Sequence, residues 1–355
     1  MTIEKDDIRA AVTAGVLTED QAARLAAFSR ARMDEREILE RDDERFELFS
    51  GFNEIFVVVG LGILYAGWFG TYFAIFEDAH SPLMFMGFFS AVLTALLAKY
   101  FTATRRMIAP SIALAGAFAG SAAAFGCGVM LLLNDSDPAY FLPSLVAAIA
   151  LLGYWRQFRV PFTMALIAGA IFWTVVAIML FTDQAKTSDI DELFLLTADG
   201  PLGLVTFIMG LIGFAVAMRF DMSDPHRITR RSDNGFWLHI IAAPALVNTI
   251  ALSLFDIDTG FAKGLLLVFV LLMAVIALII DRRSFLLAAV GYVVALAVSV
   301  IETGGGVFVA IFLFGLLLIA LGSFWERLRV RLMTRLPDFP GKDLLPPYST
   351  SKPSV

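Results

Sequence analysis

The chain has 355 residues, 59% of them hydrophobic and only 17% charged. Soluble domains carry about 25% charged residues, so repeated runs of roughly 20 apolar residues exclude one large soluble core and indicate membrane-spanning helices. The net charge of −6 conceals strong segregation of charge along the chain, and a single cysteine, Cys127, excludes an internal disulfide framework and a thiolate metal site.

The first residues, MTIEKDDIRAAV, are acidic and polar, unlike a cleavable signal peptide, so the first span is expected to act as an uncleaved anchor. Residues 3–13 read as a short helix ended by Gly15. Thr18 and Gln21 then fit a capping box that opens a second helix reaching about Leu48. Residues 30–47 contain 13 charged residues of both signs, with Glu37 and Arg41 at the favourable i,i+4 spacing. Residues 1–50 carry 8 basic and 13 acidic side chains, which argues against nucleic acid or anionic lipid as their partner. They read as a cytoplasmic helical arm, a solvated juxtamembrane helix first and a protein-docking surface second.

A transmembrane bundle is expected over residues 51–335. Its ten spans fall near 55–76, 82–101, 107–133, 139–155, 160–181, 200–219, 236–255, 261–280, 284–301 and 305–325, giving an all-α polytopic fold. The loops alternate in charge. One side holds 15 Lys and Arg, among them Arg105, Arg106, Arg156, Arg159, Arg227, Arg282, Arg283 and Arg329, whereas the other is acidic and holds Lys186 and Lys263. The positive-inside rule places the basic loops, and with them both termini, in the cytoplasm. Tyr154, Trp155, Trp237 and Trp325 sit at span ends, as an interfacial belt requires.

The third span is rich in small residues, AGAFAGSAAAFGCG. Gly116 and Gly120 form a GxxxG pair, continued by Ser121 and Ala124, and predict close helix contact at a central position. Residues 200–220 resemble 304–324, an offset of four spans that would make spans 3–6 and 7–10 a parallel repeat. Residues 336–355 form a proline-rich tail without apolar periodicity and are expected to be disordered.

Chemistry is sparse. No Asp, Glu, Lys or Arg falls near the middle of any expected span, which lowers the class of proton-coupled pumps. The seventh span alone carries several polar interruptions. His239, one turn inside its cytoplasmic end, reads as an interfacial histidine bonded to a loop or neighbouring helix rather than a proton carrier. Pro244 frees the carbonyl of Ile240 and predicts a kink. Asn248 falls near the midplane, as interhelical glue or as the lining of a polar cavity. Together the three are the candidate substrate path or hinge. No HExxH, GxSxG or paired intramembrane carboxylate is present, so no catalysis, cofactor or metal is expected. In the acidic outer loop 182–199, DIDELFLL reads as a short interfacial helix.

The segment AGVLTEDQAARL (14–25), the charged linker after it and the glycine-rich GLGILYAGW (60–68) resemble the bacterial membrane proteins catalogued as domain of unknown function 2157. The resemblance implies a polytopic protein of the cytoplasmic membrane and carries no chemistry. Two functions follow as expectations: a permease or translocator of a small molecule or lipid, and a non-catalytic sensor or scaffold that uses the arm for protein contacts. The lipid bilayer is the partner common to both, and nucleic acid is not expected.

Overall fold

The computed structural model describes residues 11–12, 14–16, 18, 21, 52–75, 80–133, 140–182, 190–196, 200–227, 229–257, 259–285 and 305–348. The chain divides into two units, Met1–Arg45 and Phe46–Val355. In the first unit both expected caps are formed. Gly15 has φ +72°, its N–H donates to Val12 O, and that of Val16 reaches Ala11 O, the pair of bonds that satisfies orphan carbonyls at a helix end. Thr18 N–H donates to Gln21 Oε1 at 3.0 Å and Gln21 N–H to Thr18 Oγ1 at 3.2 Å, the reciprocal capping box. The charged segment 30–47 lies outside the described residues.

All regular elements described in the second unit are helical: α1 (Phe52–Ile75), α2 (His80–Ala98), α3 (Ile108–Leu133), α4 (Leu142–Phe158), α5 (Thr163–Phe181), α6 (Leu202–Ser223), α7 (Arg230–Asp256), α8 (Gly260–Ile280) and α9 (Gly305–Arg335). A π-helical turn, Lys99–Thr104, prolongs α2, and short 3-10 turns cover Ile190–Leu193 and Lys342–Leu344. Among the described residues seven helices are long and apolar enough to cross a membrane. The protein is therefore a multi-pass membrane protein. The span expected at 139–155 is the 17-residue α4, that at 305–325 begins α9, and nearly all of that at 284–301 lies outside the described residues.

The apolar surface agrees with a lipid solvent. On α8, Leu267, Val268, Leu271 and Leu272 are exposed, whereas Leu266, Val270 and Ala277 face the interior. Backbone groups of such helices are satisfied within the segment, the condition for crossing hydrocarbon. Two helices act as hubs. α3 packs on α1, α2 and α4, whereas α7 packs on α5, α6 and α8. α7 has the most buried apolar window of the seven.

The central position of α3 agrees with its composition, but the close contact is made by different glycines. A Cβ on Gly128 would strike the backbone of Met84, and one on Gly87 the backbone of Phe125 and Ser121 O. Gly116 and Gly120 meet nothing within 4 Å. The GxxxG face is therefore not the α2–α3 contact, which runs through Ser121 and Gly128 on another side of the helix. Glu54, almost fully buried, caps α3 from a distance: its carboxylate accepts the N–H groups of Ile108 and Ala109 at 3.2 and 2.9 Å. A negative charge is favourable at that helix end, where donors are unpaired and the dipole is positive.

Residues 336–348 depart from the expected disorder. Gly341 adopts φ +88° against Met222, Leu345 is buried, and Lys342 donates to Leu336 O and Asp338 Oδ1 at 2.9 and 3.0 Å. Proline content removed backbone donors from this stretch without removing its carbonyls, and those of Pro346 and Pro347 are held by Arg329. Residues 349–355 lie outside the described set.

Candidate functional site: a buried charge layer at one end of the bundle

The site starts with how α6 ends. Its inward stripe is Gly203, Thr206, Gly210, Ala217 and Asp221, spaced three, four or seven residues apart and buried throughout. The helix runs to Ser223, one turn past the expected boundary at 219, so Asp221 is the last member of a packing face rather than a loop acid. Asp224 then turns the chain. Its Oδ2 accepts from Thr229 N and Oγ1 at 2.8 and 2.9 Å, and Thr229 in turn caps α7 through Arg231 N.

The two helices meet through glycine. A side chain at Gly235 would collide with Asp221 Oδ1, and Gly210 lies against Ala245 and Leu246. This approach lets the Asp221 carboxylate reach His239. The two are 2% and 0% exposed, and His239 Nε2 lies 3.0 Å from Asp221 Oδ2. Arg282, which follows α8, completes the cluster: Nε donates to Asp221 Oδ2 at 3.0 Å and Nη2 to Oδ1 at 2.5 Å and to Ser232 O at 2.8 Å. The guanidinium also lies over the Phe236 ring. Phe214 and Phe285 close on the imidazole edge to face, with centroids 5.6 and 5.9 Å away.

The charges of Asp221 and Arg282 cancel. A neutral His239 donating its Nε2–H to Asp221 leaves the cluster without net charge, the arrangement a low-dielectric interior favours. Nδ1 of the same ring is buried with no hydrogen-bond partner among the described residues.

A second layer lies beside the first, around the carbonyl end of α8. Asp281 has φ +56° and ends the helix. Arg227 pairs with its carboxylate at 2.8 Å and donates to Ile280 O and Asp281 O. Trp325 Nε1 donates to the other carboxylate oxygen at 2.7 Å. Arg329 donates to Leu278 O at 3.1 Å and to the carbonyls of Pro346 and Pro347 at 2.5 and 2.9 Å. Two guanidiniums thus sit on the last carbonyls of α8, where the dipole is negative. Burial lowers both Arg227 and Arg329 below the usual arginine value, yet a guanidinium titrates so far above neutrality that both stay charged.

Of the residues singled out in the sequence, His239 is fully buried and is bonded to Asp221 of the neighbouring helix, one of the two partners its sequence reading allowed. Sequence reasoning missed Asp221, Arg282, Arg227 and Arg329 because arginines near span ends read as topology signals. The seven-residue step from Gly210 through Ala217 was the available signal for Asp221. Pro244 lies half-buried within α7, which continues through it to Asp256. Asn248 is half-buried and makes no side-chain hydrogen bond among the described residues. It is nine residues from His239, about 14 Å along the axis, and the structure does not bring the two together. An open apolar groove of about 270 Å³ lies elsewhere, between α2, α3 and α4, with Phe88, Phe118 and Ala150 in its walls. Among the described residues no group of three or more His, Cys, Asp or Glu side chains could hold a metal ion.

No protein-family model, no curated protein and no solved structure matches the chain.

Proposed function

We propose that the chain is a ten-span permease or translocator of a small molecule or lipid in the bacterial cytoplasmic membrane, with both termini inside. In this reading the Asp221–His239–Arg282 cluster closes its cytoplasmic end. One observation carries the reading: three ionisable side chains, Asp221, His239 and Arg282, are buried together between α6, α7 and the end of α8. Ionisable groups in a membrane bundle are costly to bury and mark pathways and gates by default. The cluster is charge-balanced when shut, and Pro244, five residues along α7 from His239, removes a backbone bond where a hinge would bend. The inward arginines and the resemblance of residues 14–25 and 60–68 to domain of unknown function 2157 support the orientation and the membrane. The proposal assigns no catalysis, cofactor or metal.

Cysteine accessibility tests it. Cys127 is replaced by Ser and Asn248 by Cys, and labelling by a membrane-impermeant maleimide is followed in inside-out vesicles. A gate predicts slow labelling that quickens at least tenfold when Asp221→Asn is added. Equal and negligible labelling in both backgrounds would make the cluster a static brace.

A scaffold reading keeps one observation of its own, the separation of Met1–Arg45 as a distinct unit. It predicts that deleting residues 1–45 leaves membrane insertion intact and abolishes a specific protein contact.

A further inference from the structure

Six arginines at this end of the bundle fall into two sets. Arg227, Arg282 and Arg329 are buried and bonded as described. Arg327, Arg331 and Arg335, on α9, are exposed, and none is paired with a carboxylate among the described residues. Their four-residue spacing places them within about 80° of one another on a helix turning 100° per residue. Trp325, Arg329 and Met333, also four apart, form the opposite and buried face. Glu326, the sole acid between 325 and 335, lies off the basic stripe by the same count.

The length of α9 sets where this stripe stands. Thirty-one residues rise about 46 Å, whereas the hydrocarbon core is about 30 Å thick. The apolar run 305–325 uses that thickness. Arg327 then emerges at headgroup level, and Arg331 and Arg335 follow one and two turns beyond. Arg327 also lies over the Phe324 ring, 5.7 Å from its centroid, which turns its stem back along the span as interfacial arginines do. Arg227 and Arg282 are paired with carboxylates. Among the described residues this row has none.

We propose that Arg327, Arg331 and Arg335 form a binding face for the phosphate groups of anionic lipids in the leaflet that surrounds the cytoplasmic end of α9. Guanidinium matches phosphate geometry with paired donors, and a juxtamembrane basic cluster gains from an anionic surface within about a Debye length. Since α9 is bonded to the end of α8 through Arg329 and Trp325, lipid held here steadies the helix that braces the buried charge layer. The inference rests on the membrane orientation proposed above and is independent of whether anything is transported.

The test uses full-length protein in phosphatidylcholine vesicles holding a minor fraction of phosphatidylglycerol. After gentle extraction, lipid retained on the protein is quantified by mass spectrometry. The wild-type chain is expected to retain phosphatidylglycerol in excess of its share in the vesicle, less so at high salt. Arg327→Gln, Arg331→Gln and Arg335→Gln are each expected to lower that excess about fivefold, the equivalent of ~1 kcal/mol per cation near an anionic surface. The triple lysine variant, folded and charged, keeps it. Retention of both lipids in the vesicle ratio by the wild type, or an undiminished excess in the triple glutamine variant with unchanged thermal stability, overturns the proposal. Both leaflets of the vesicle contain the anionic lipid, so an inverted orientation would not mimic that failure. Protease access to the tail in intact cells reads the orientation separately.

Discussion

Replacing Asp221 by Ala isolates what holds the charge layer together. The substitution removes the acceptor of three hydrogen bonds, two from Arg282 and one from His239. It leaves the guanidinium 8% exposed with Ser232 O as its remaining partner. Breaking a buried pair from one side costs about 3–5 kcal/mol, because the surviving charge stays buried without compensation. Arg282→Met, which strands Asp221 with the imidazole alone, is expected to cost a similar amount. The double variant Asp221→Ala/Arg282→Met removes both charges at once. Its cost is expected to be about 1–3 kcal/mol, since buried pairs exchanged for apolar groups are often close to neutral. The two changes therefore couple by several kcal/mol. The measurement is a double-mutant cycle of reversible unfolding in mixed micelles, followed by tryptophan fluorescence. Costs that add to within about 0.5 kcal/mol, the behaviour of independent sites, would refute the claim that Asp221 and Arg282 compensate one another.

Two further outcomes follow from the packing. Gly128→Val drives a branched side chain into the backbone of Met84 and is expected to destabilise by about 2 kcal/mol or more through overpacking; Gly116→Val, into open space, stays within about 1 kcal/mol of wild type on the same unfolding assay. Arg329→Ala frees the carbonyls of Pro346 and Pro347. Trypsin cleavage after the buried Lys342 is expected to accelerate at least tenfold over wild type, and an unchanged rate would mean that the tail is held by other contacts.

The order of the helices and their apolar character were legible in the sequence because a bilayer imposes one strong constraint, a stretch of about 20 apolar residues with its backbone satisfied internally. Local caps were legible for a similar reason. Gly15 and the Thr18–Gln21 pair satisfy groups only a few residues away, so no distant chain has to be known. Where a partner comes from another helix, composition is silent. Gly116 and Gly120 match a contact motif, yet Gly87 and Gly128 make the contact, because the choice among glycine faces depends on the position of α2. The tail shows the same limit: Arg329 on α9, the Lys342 bonds and buried Leu345 order it as far as Tyr348, contacts that its proline content does not announce.

The buried layer was illegible for a deeper reason. The rule that makes arginines useful for topology assumes that they stand in water, and a sequence gives the same letter to an arginine that snorkels and one that is buried. The structure separates them by partner. Arg227, Arg282 and Arg329 each meet a carboxylate or the last carbonyls of a helix, whereas Arg327, Arg331 and Arg335 meet neither. His239 follows the same logic in reverse. Without a carboxylate in its own span it reads as interfacial, yet α6 carries Asp221 two residues beyond its expected end, and Gly235 lets the two helices close. The decisive event is the extension of α6 and α7 past their apolar runs, α6 to Ser223 and α7 back to Arg230. That extension converts loop charges into interior ones. Charge at the rim of a span is therefore informative in proportion to the helix phase it keeps: Asp221, in register with Gly210 and Ala217, belongs to the interior, whereas Arg219, two positions earlier and out of that register, does not.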